Sequence, residues 1–126
     1  MTRLTDLETP CLLLDRARVE NNAAAMIARC RALNVTLRPH VKTPKSLEIA
    51  RITQGGDIGP VTVSTLREAE HFARHGYRDI LYTVGIIPAK LDRLTRIQRE
   101  TGATVRIVLD SQYVAEGIAD YARNIE

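Results

Sequence analysis

The sequence predicts an α/β fold in which parallel strands alternate with helices. Three observations carry that reading. Strand starts near residues 35, 60, 79 and 104 are separated by 25, 19 and 25 residues, close to the roughly 30 residues per unit of a (β/α)8 barrel. A helical pattern follows each strand, so successive strands run parallel. The strands themselves are near-continuous apolar runs, as expected of a sheet covered on both faces. At 126 residues with 44% hydrophobic content, the chain can furnish one core.

Taken in order, Thr9-Pro10-Cys11-Leu12-Leu13-Leu14-Asp15 reads as a short N-terminal strand ended by a helix cap. Asp15 then opens a helix in which Val19, Ala23, Met26, Cys30 and Leu33 recur at helical spacing, so Met26 belongs to a core stripe. The run from Val35 to Leu37 opens the next strand. Thr43-Pro44 then predicts an N-cap and first helical residue, for a helix reaching about Gln54 with Leu47 and Ala50 or Ile49 inward. Gly55-Gly56 closes it. The stretch Gly55 to Pro60 leads into a strand instead of joining a strand to a helix, so it reads as a turn and not a phosphate loop.

Val61-Thr62-Val63 is the next strand, and Thr65-x-x-Glu68 is a capping box for a helix carrying Leu66, Ala69, Phe72 and Ala73 inward. His71 and His75 stand four apart on it, a spacing metal ligands use, but without a Glu-x-x-His context or a third ligand; a solvated or capping role fits them better. Asp79 to Val84 is a strand in which Tyr82 is an ordinary aromatic. Pro88 then opens a helix with Leu91, Leu94 and Ile97 inward and Gly102 ending it. Thr104 to Asp110 is the last strand, and Ser111 caps a helix with the stripe Val114, Ile118, Tyr121 and Ile125. Asp110 is better read beside that cap than as a site.

Composition narrows the function classes. No apolar run approaches the roughly 20 residues a membrane span requires, and Arg3, Asp6 and Glu8 interrupt the N-terminus. The expectation is a soluble, cytoplasmic protein. Cys11 and Cys30 make neither a disulfide framework nor a metal motif, and both read as small buried hydrophobes. The net charge of +3 is spread over helix faces, and one Phe with no Trp leaves little for base stacking, so nucleic acid is not an expected partner.

The chemical stretch is Leu37 to Lys45, with Lys42 at its centre. Strand alternation places His40 and Lys42 on one face at a strand's C-terminal end. The positive end of the following helix and the charge of Lys45 are expected to disfavour the Lys42 ammonium, leaving more of the neutral amine that attacks an aldehyde. A plain surface loop with two solvated lysines is the alternative reading of the same residues.

The segment Arg38-Pro39-His40-Val41-Lys42-Thr43-Pro44-Lys45-Ser46, with Val63 to Glu70 and Asp79 to Gly85, resembles the D-threonine aldolase and D-serine dehydratase family, pyridoxal phosphate enzymes of the alanine-racemase fold type. The resemblance runs along nearly the whole chain. It implies that Lys42 carries pyridoxal phosphate as a Schiff base and that His40 lines the cofactor site. Many members have His two residues after the lysine, where this chain has Pro44, a subfamily difference. It implies an eight-stranded barrel followed by a mostly β domain that includes the N-terminal strand, so that these residues are the first four βα units. The phosphate-binding loops and the ligands of a divalent metal, zinc or manganese, would then lie beyond this chain, and the fragment alone would be inactive.

The implied activity is a lyase acting on D-β-hydroxy amino acids, as a homodimer when full length. Asp79 to Gly85 followed by Pro88-x-Lys90-Leu91 looks most like D-serine and D-threo-3-hydroxyaspartate dehydratases. A racemase of the same fold and a non-catalytic pyridoxal phosphate-binding protein are the rival readings.

Overall fold

The computed structural model describes residues 3–125. Strands β1 (Val61–Val63), β2 (Asp79–Tyr82) and β3 (Thr104–Ile107) form a parallel sheet in that order. Around it run helices α1 (Arg16–Ala32), α2 (Leu47–Ile52), α3 (Leu66–Arg74), α4 (Leu91–Thr101) and α5 (Gln112–Asn124). Register explains which face is covered. Val61, Ile80 and Val105 align across the three strands, as do Val63, Tyr82 and Ile107, and all but the half-buried Ile107 are buried. The intervening row of Thr62, Leu81 and Arg106 belongs to the opposite face.

The helices supply the other side of the core as their spacing predicts. Leu66, Ala69, Phe72 and Ala73 of α3 and Leu91, Leu94 and Ile97 of α4 are all buried. Phe72 meets Tyr77 edge-on with ring centroids 5.0 Å apart, a contact worth about 1 kcal/mol beyond area burial. Gly102 ends α4 at φ 69°, a left-handed conformation that glycine adopts without a Cβ clash. Gly55 and Gly56 form the turn after α2, also at positive φ. Among the described residues no helix is long and apolar enough to cross a membrane.

Four expectations are corrected. Residues 9–15 form no strand: they make no ladder bonds, and Leu12, Leu13 and Leu14 are exposed. The strand expected from Val35 shrinks to one bridge, His40 to Thr62, made by Val41 N–H to Thr62 O at 2.9 Å and Thr62 N–H to Pro39 O at 2.9 Å. Pro39 has no N–H to extend that ladder, and Val35 and Thr36 stay exposed. The four expected strands are therefore three and a bridged segment. On α1, only Ala23 of the stripe is buried while Met26 and Leu33 are exposed, because its neighbour is the short α2 and not the sheet. The cysteines follow suit, Cys11 being exposed and Cys30 half-buried.

Candidate functional site

The C-terminal ends of the bridged segment, β1 and β2 converge on one residue, His40. The backbone N–H of Lys42 donates to its Nδ1 at 3.2 Å, folding the chain back just past the bridge. On the other side of the ring, Nε2 lies 3.3 Å from Ser64 Oγ and 3.4 Å from Thr83 Oγ1. Ser64 follows β1 and Thr83 follows β2, so one imidazole joins three strand ends. Thr83 is itself held by its N–H and its hydroxyl, both donating to Val63 O, at 3.0 and 3.2 Å.

Partial desolvation against these strand ends, reinforced by the nearby Lys42 ammonium, holds the His40 imidazolium below the usual histidine range, while Glu68 works against both. Glu68 is a buried carboxylate. It accepts the Ser64 N–H at 2.8 Å and pairs with Lys45 Nζ at 3.5 Å. Half of the predicted capping box is therefore present, since Thr65 Oγ1 accepts the Glu68 N–H at 3.1 Å, but the carboxylate reaches back to Ser64 instead of Thr65.

The helix expected to start at Thr43-Pro44 starts later. Ser46 is the N-cap, its hydroxyl accepting the Ile49 N–H at 3.3 Å, and Lys45 takes a positive φ of 47° as its N–H closes on Val41 O at 2.9 Å. That turn spends residues 41–45 on reversing direction, so α2 is six residues long and its first residue, Leu47, stands five residues beyond Lys42. Nor does Lys45 stand as a bare cation beside Lys42, because Glu68 pairs with it. The two electrostatic causes expected to act on Lys42 are both displaced.

Lys42 nonetheless differs from the chain's other two lysines. Lys45 is paired with Glu68, and Lys90 Nζ donates to the Tyr82 hydroxyl at 2.9 Å. Among the described residues, no hydrogen bond or ion pair engages Lys42 Nζ, which is exposed and near enough to His40 to act on its ring. Lys42 is thus an exposed, uncommitted primary amine whose backbone is bonded to the imidazole that also meets the Ser64 and Thr83 hydroxyls, and a primary amine is the group that bonds an aldehyde.

Ser64, Thr83 and Glu68 were not singled out from sequence. The signal for the first two was position, each being the first residue past a strand's C-terminal end; Glu68 was hidden behind its helix-capping role. His75 is the C-cap of α3, its Nδ1 2.7 Å from His71 O, as the capping reading has it. Asp110 likewise stands next to the cap, with Ser111 Oγ accepting the Val114 N–H.

A family model described as alanine racemase, N-terminal domain, matches residues 14–126. The chain belongs to this family. Within the alanine racemase N-terminal domain family it is similar to the D-threo-3-hydroxyaspartate dehydratase of Delftia sp. (strain HT23), 39% identical over 120 residues, which are 95% of this chain and 31% of that protein. It is similar also to the 3-hydroxy-D-aspartate aldolase of Paracoccus denitrificans, 38% identical over 92% of this chain and 30% of that one. The solved structure of the Delftia dehydratase superposes with a TM-score of 0.86 at 39% identity, covering 93% of this chain and 31% of that chain. The chain thus spans about a third of the length of the relatives it matches.

Proposed function

We propose that this chain is the lysine-bearing part of a pyridoxal phosphate-dependent lyase acting on D-β-hydroxy amino acids, with Lys42 as the residue that bonds the cofactor. The supporting observation is that, of three lysines, Lys42 has the amine left uncommitted, on a residue whose backbone is bonded to His40 at the strand ends. The chain would form the first βα units of a larger barrel, the remaining units lying elsewhere in a longer polypeptide. The names of the relatives, a dehydratase and an aldolase, support the reaction class.

When bound, the cofactor would supply an electron-withdrawing ring conjugated to the substrate Cα. The chain's own residues then have distinct tasks. Lys42 Nζ would hold the cofactor, and when free of it would serve as the base for a proton at the substrate Cα. His40, Ser64 and Thr83 wall the site on one side, and Glu68 fixes Ser64 through its backbone. Loss of the Cα proton followed by the β-hydroxyl gives dehydration; cleavage between Cα and Cβ gives an aldehyde and glycine. The Asp79 to Gly85 pattern favours dehydration. Among the described residues no three His, Cys, Asp or Glu side chains converge on one point, so the residues here do not fit a divalent metal.

The test is trapping. Purified chain is mixed with pyridoxal phosphate, reduced with borohydride, digested and mapped by mass spectrometry. Modification should fall on Lys42, vanish in Lys42→Ala and persist in Lys45→Ala. Modification confined to Lys45 or Lys90 overturns the assignment.

A further inference from the structure

The hydrogen bonds around His40 fix where its proton is. The Lys42 N–H points at Nδ1, so Nδ1 is the bare, accepting nitrogen. Thr83 has one hydroxyl proton, and it goes to Val63 O. Thr83 Oγ1 can therefore only accept from Nε2, and Ser64 Oγ, 3.3 Å from the same nitrogen, shares that proton. The arrangement closes in one way alone: a neutral imidazole with the proton on Nε2.

We propose that His40 is a positioning residue that clamps the Lys42 backbone to the ends of β1 and β2 while its ring is neutral, and releases it when Nδ1 takes a proton. Protonation turns the acceptor into a second donor facing the Lys42 N–H, so that bond is lost while the Nε2 side keeps its partners. The charged groups facing the ring are Lys42 on its own segment and Glu68 on α3, the latter already paired with Lys45; β1 and β2 contribute the neutral Ser64 and Thr83. The device acts on backbone, so it governs where the Lys42 side chain starts from, not the chemistry of the amine. Its bearing on catalysis rests on the assignment of Lys42 proposed above.

The experiment separates the two. In isotope-labelled chain without cofactor, the His40 ring nitrogens are assigned by NMR and exchange of the Lys42 amide is followed from about pH 8 to pH 5. The wild type should show a bare Nδ1 and a protonated Nε2, with Lys42 amide protection falling about fivefold as the ring titrates. His40→Asn places an oxygen where Nδ1 stands and should keep the protection without the pH step. His40→Gln reaches toward Ser64 and Thr83 instead and should lose the protection at every pH. A proton on Nδ1 in the neutral ring, or a Lys42 amide indifferent to all three side chains, overturns the clamp. Borohydride trapping on the same proteins reads the other assignment: a clamp present while pyridoxal phosphate modifies only Lys45 or Lys90 sinks the role of Lys42 and leaves the clamp standing.

Discussion

Arg38 and Asp79 meet fork to fork, Nη1 to Oδ1 at 2.9 Å and Nη2 to Oδ2 at 2.8 Å, tying the segment that leads into Lys42 to the first residue of β2. The pair spans 41 residues of sequence. A second guanidinium, that of Arg106 on β3, reaches the same carboxylate, so one aspartate links three neighbouring strand positions across the face opposite the helices. Bidentate geometry fixes orientation as well as distance, which makes the pair a register pin for a segment whose own ladder is a single bridge.

Breaking the pin should therefore cost stability and steepen nothing else. The Arg38 guanidinium, first among the causes, holds the Asp79 carboxyl below its ordinary range. A carboxylate depressed in the folded state contributes stability that is present above its unfolded value and is lost as pH falls. Wild-type urea midpoints should fall on acidification below about pH 4. Asp79 keeps 39% of its side chain exposed, so solvent screening limits the loss in Arg38→Ala to about 1 kcal/mol at neutral pH. That variant should also show a shallower acid decline, and an acid decline identical to wild type would remove Arg38 as its cause.

Glu68 offers a cleaner separation of two bonds. Its backbone-directed oxygen holds the Ser64 N–H at the rim, while the other faces Lys45, whose side chain is 64% exposed. Glu68→Gln keeps an acceptor for Ser64 and gives up an ion pair whose lysine is exposed, worth about 0.5 kcal/mol. Glu68→Ala gives up both and leaves a half-buried N–H unpaired, costing about 2 kcal/mol. Denaturant unfolding of the two variants should rank alanine well below glutamine; equal losses would assign the whole effect to charge.

How far the sequence could be read follows from where each element gets its energy. Helices α3 and α4 were legible because Leu66, Ala69, Phe72, Leu91, Leu94 and Ile97 advertise a buried stripe and do bury it. Strand β2 was legible as the apolar run from Asp79 to Val84, but that run did not announce the alternation the strand shows, with Ile80 and Tyr82 buried and Asp79 and Leu81 half open. The stretch 9–15 is also apolar, through Cys11 and Leu12 to Leu14, yet forms no strand, because a strand is a pairing and sequence does not show whether a partner edge is there. The start of α2 was misplaced because Thr43-Pro44 is a good local start signal, overridden by the Val41 to Lys45 turn. At the site, Lys42 and His40 stood out by residue type, whereas Ser64, Thr83 and Glu68 matter only through contacts 24 to 43 residues apart or through a backbone N–H.

Among the described residues, Tyr77 is the one whose buried side-chain polar atom lacks a partner. It is fully buried, its hydroxyl finds no partner among the described residues, and burial pushes its ionisation above the usual tyrosine range. Removing an unpaired buried hydroxyl while keeping the ring against Phe72 is the substitution that hydrogen-bond energetics favours. Tyr77→Phe should leave stability unchanged or raise it by up to about 1 kcal/mol in a thermal melt. A loss of that size would mean that the hydroxyl has a partner in solution.

Gly117 sits inside α5, where glycine costs about 1 kcal/mol relative to alanine, so the naive expectation is that Gly117→Ala stabilises. Packing reverses the sign. A Cβ on Gly117 would stand 2.8 Å from Cγ of Pro88, the residue that opens the turn into α4, and a pyrrolidine ring yields less readily than a flexible side chain. Relieving that overlap requires α5 to move off Pro88, at a cost of about 1–3 kcal/mol that exceeds the propensity gain. Gly117→Ala should therefore lower the melting temperature. In the Pro88→Ala background the ring carbon is gone, and the same substitution should become neutral or stabilising. A double-mutant cycle reads that difference directly, and additive effects of the two changes would show that the close approach of α5 to Pro88 does not constrain the helix.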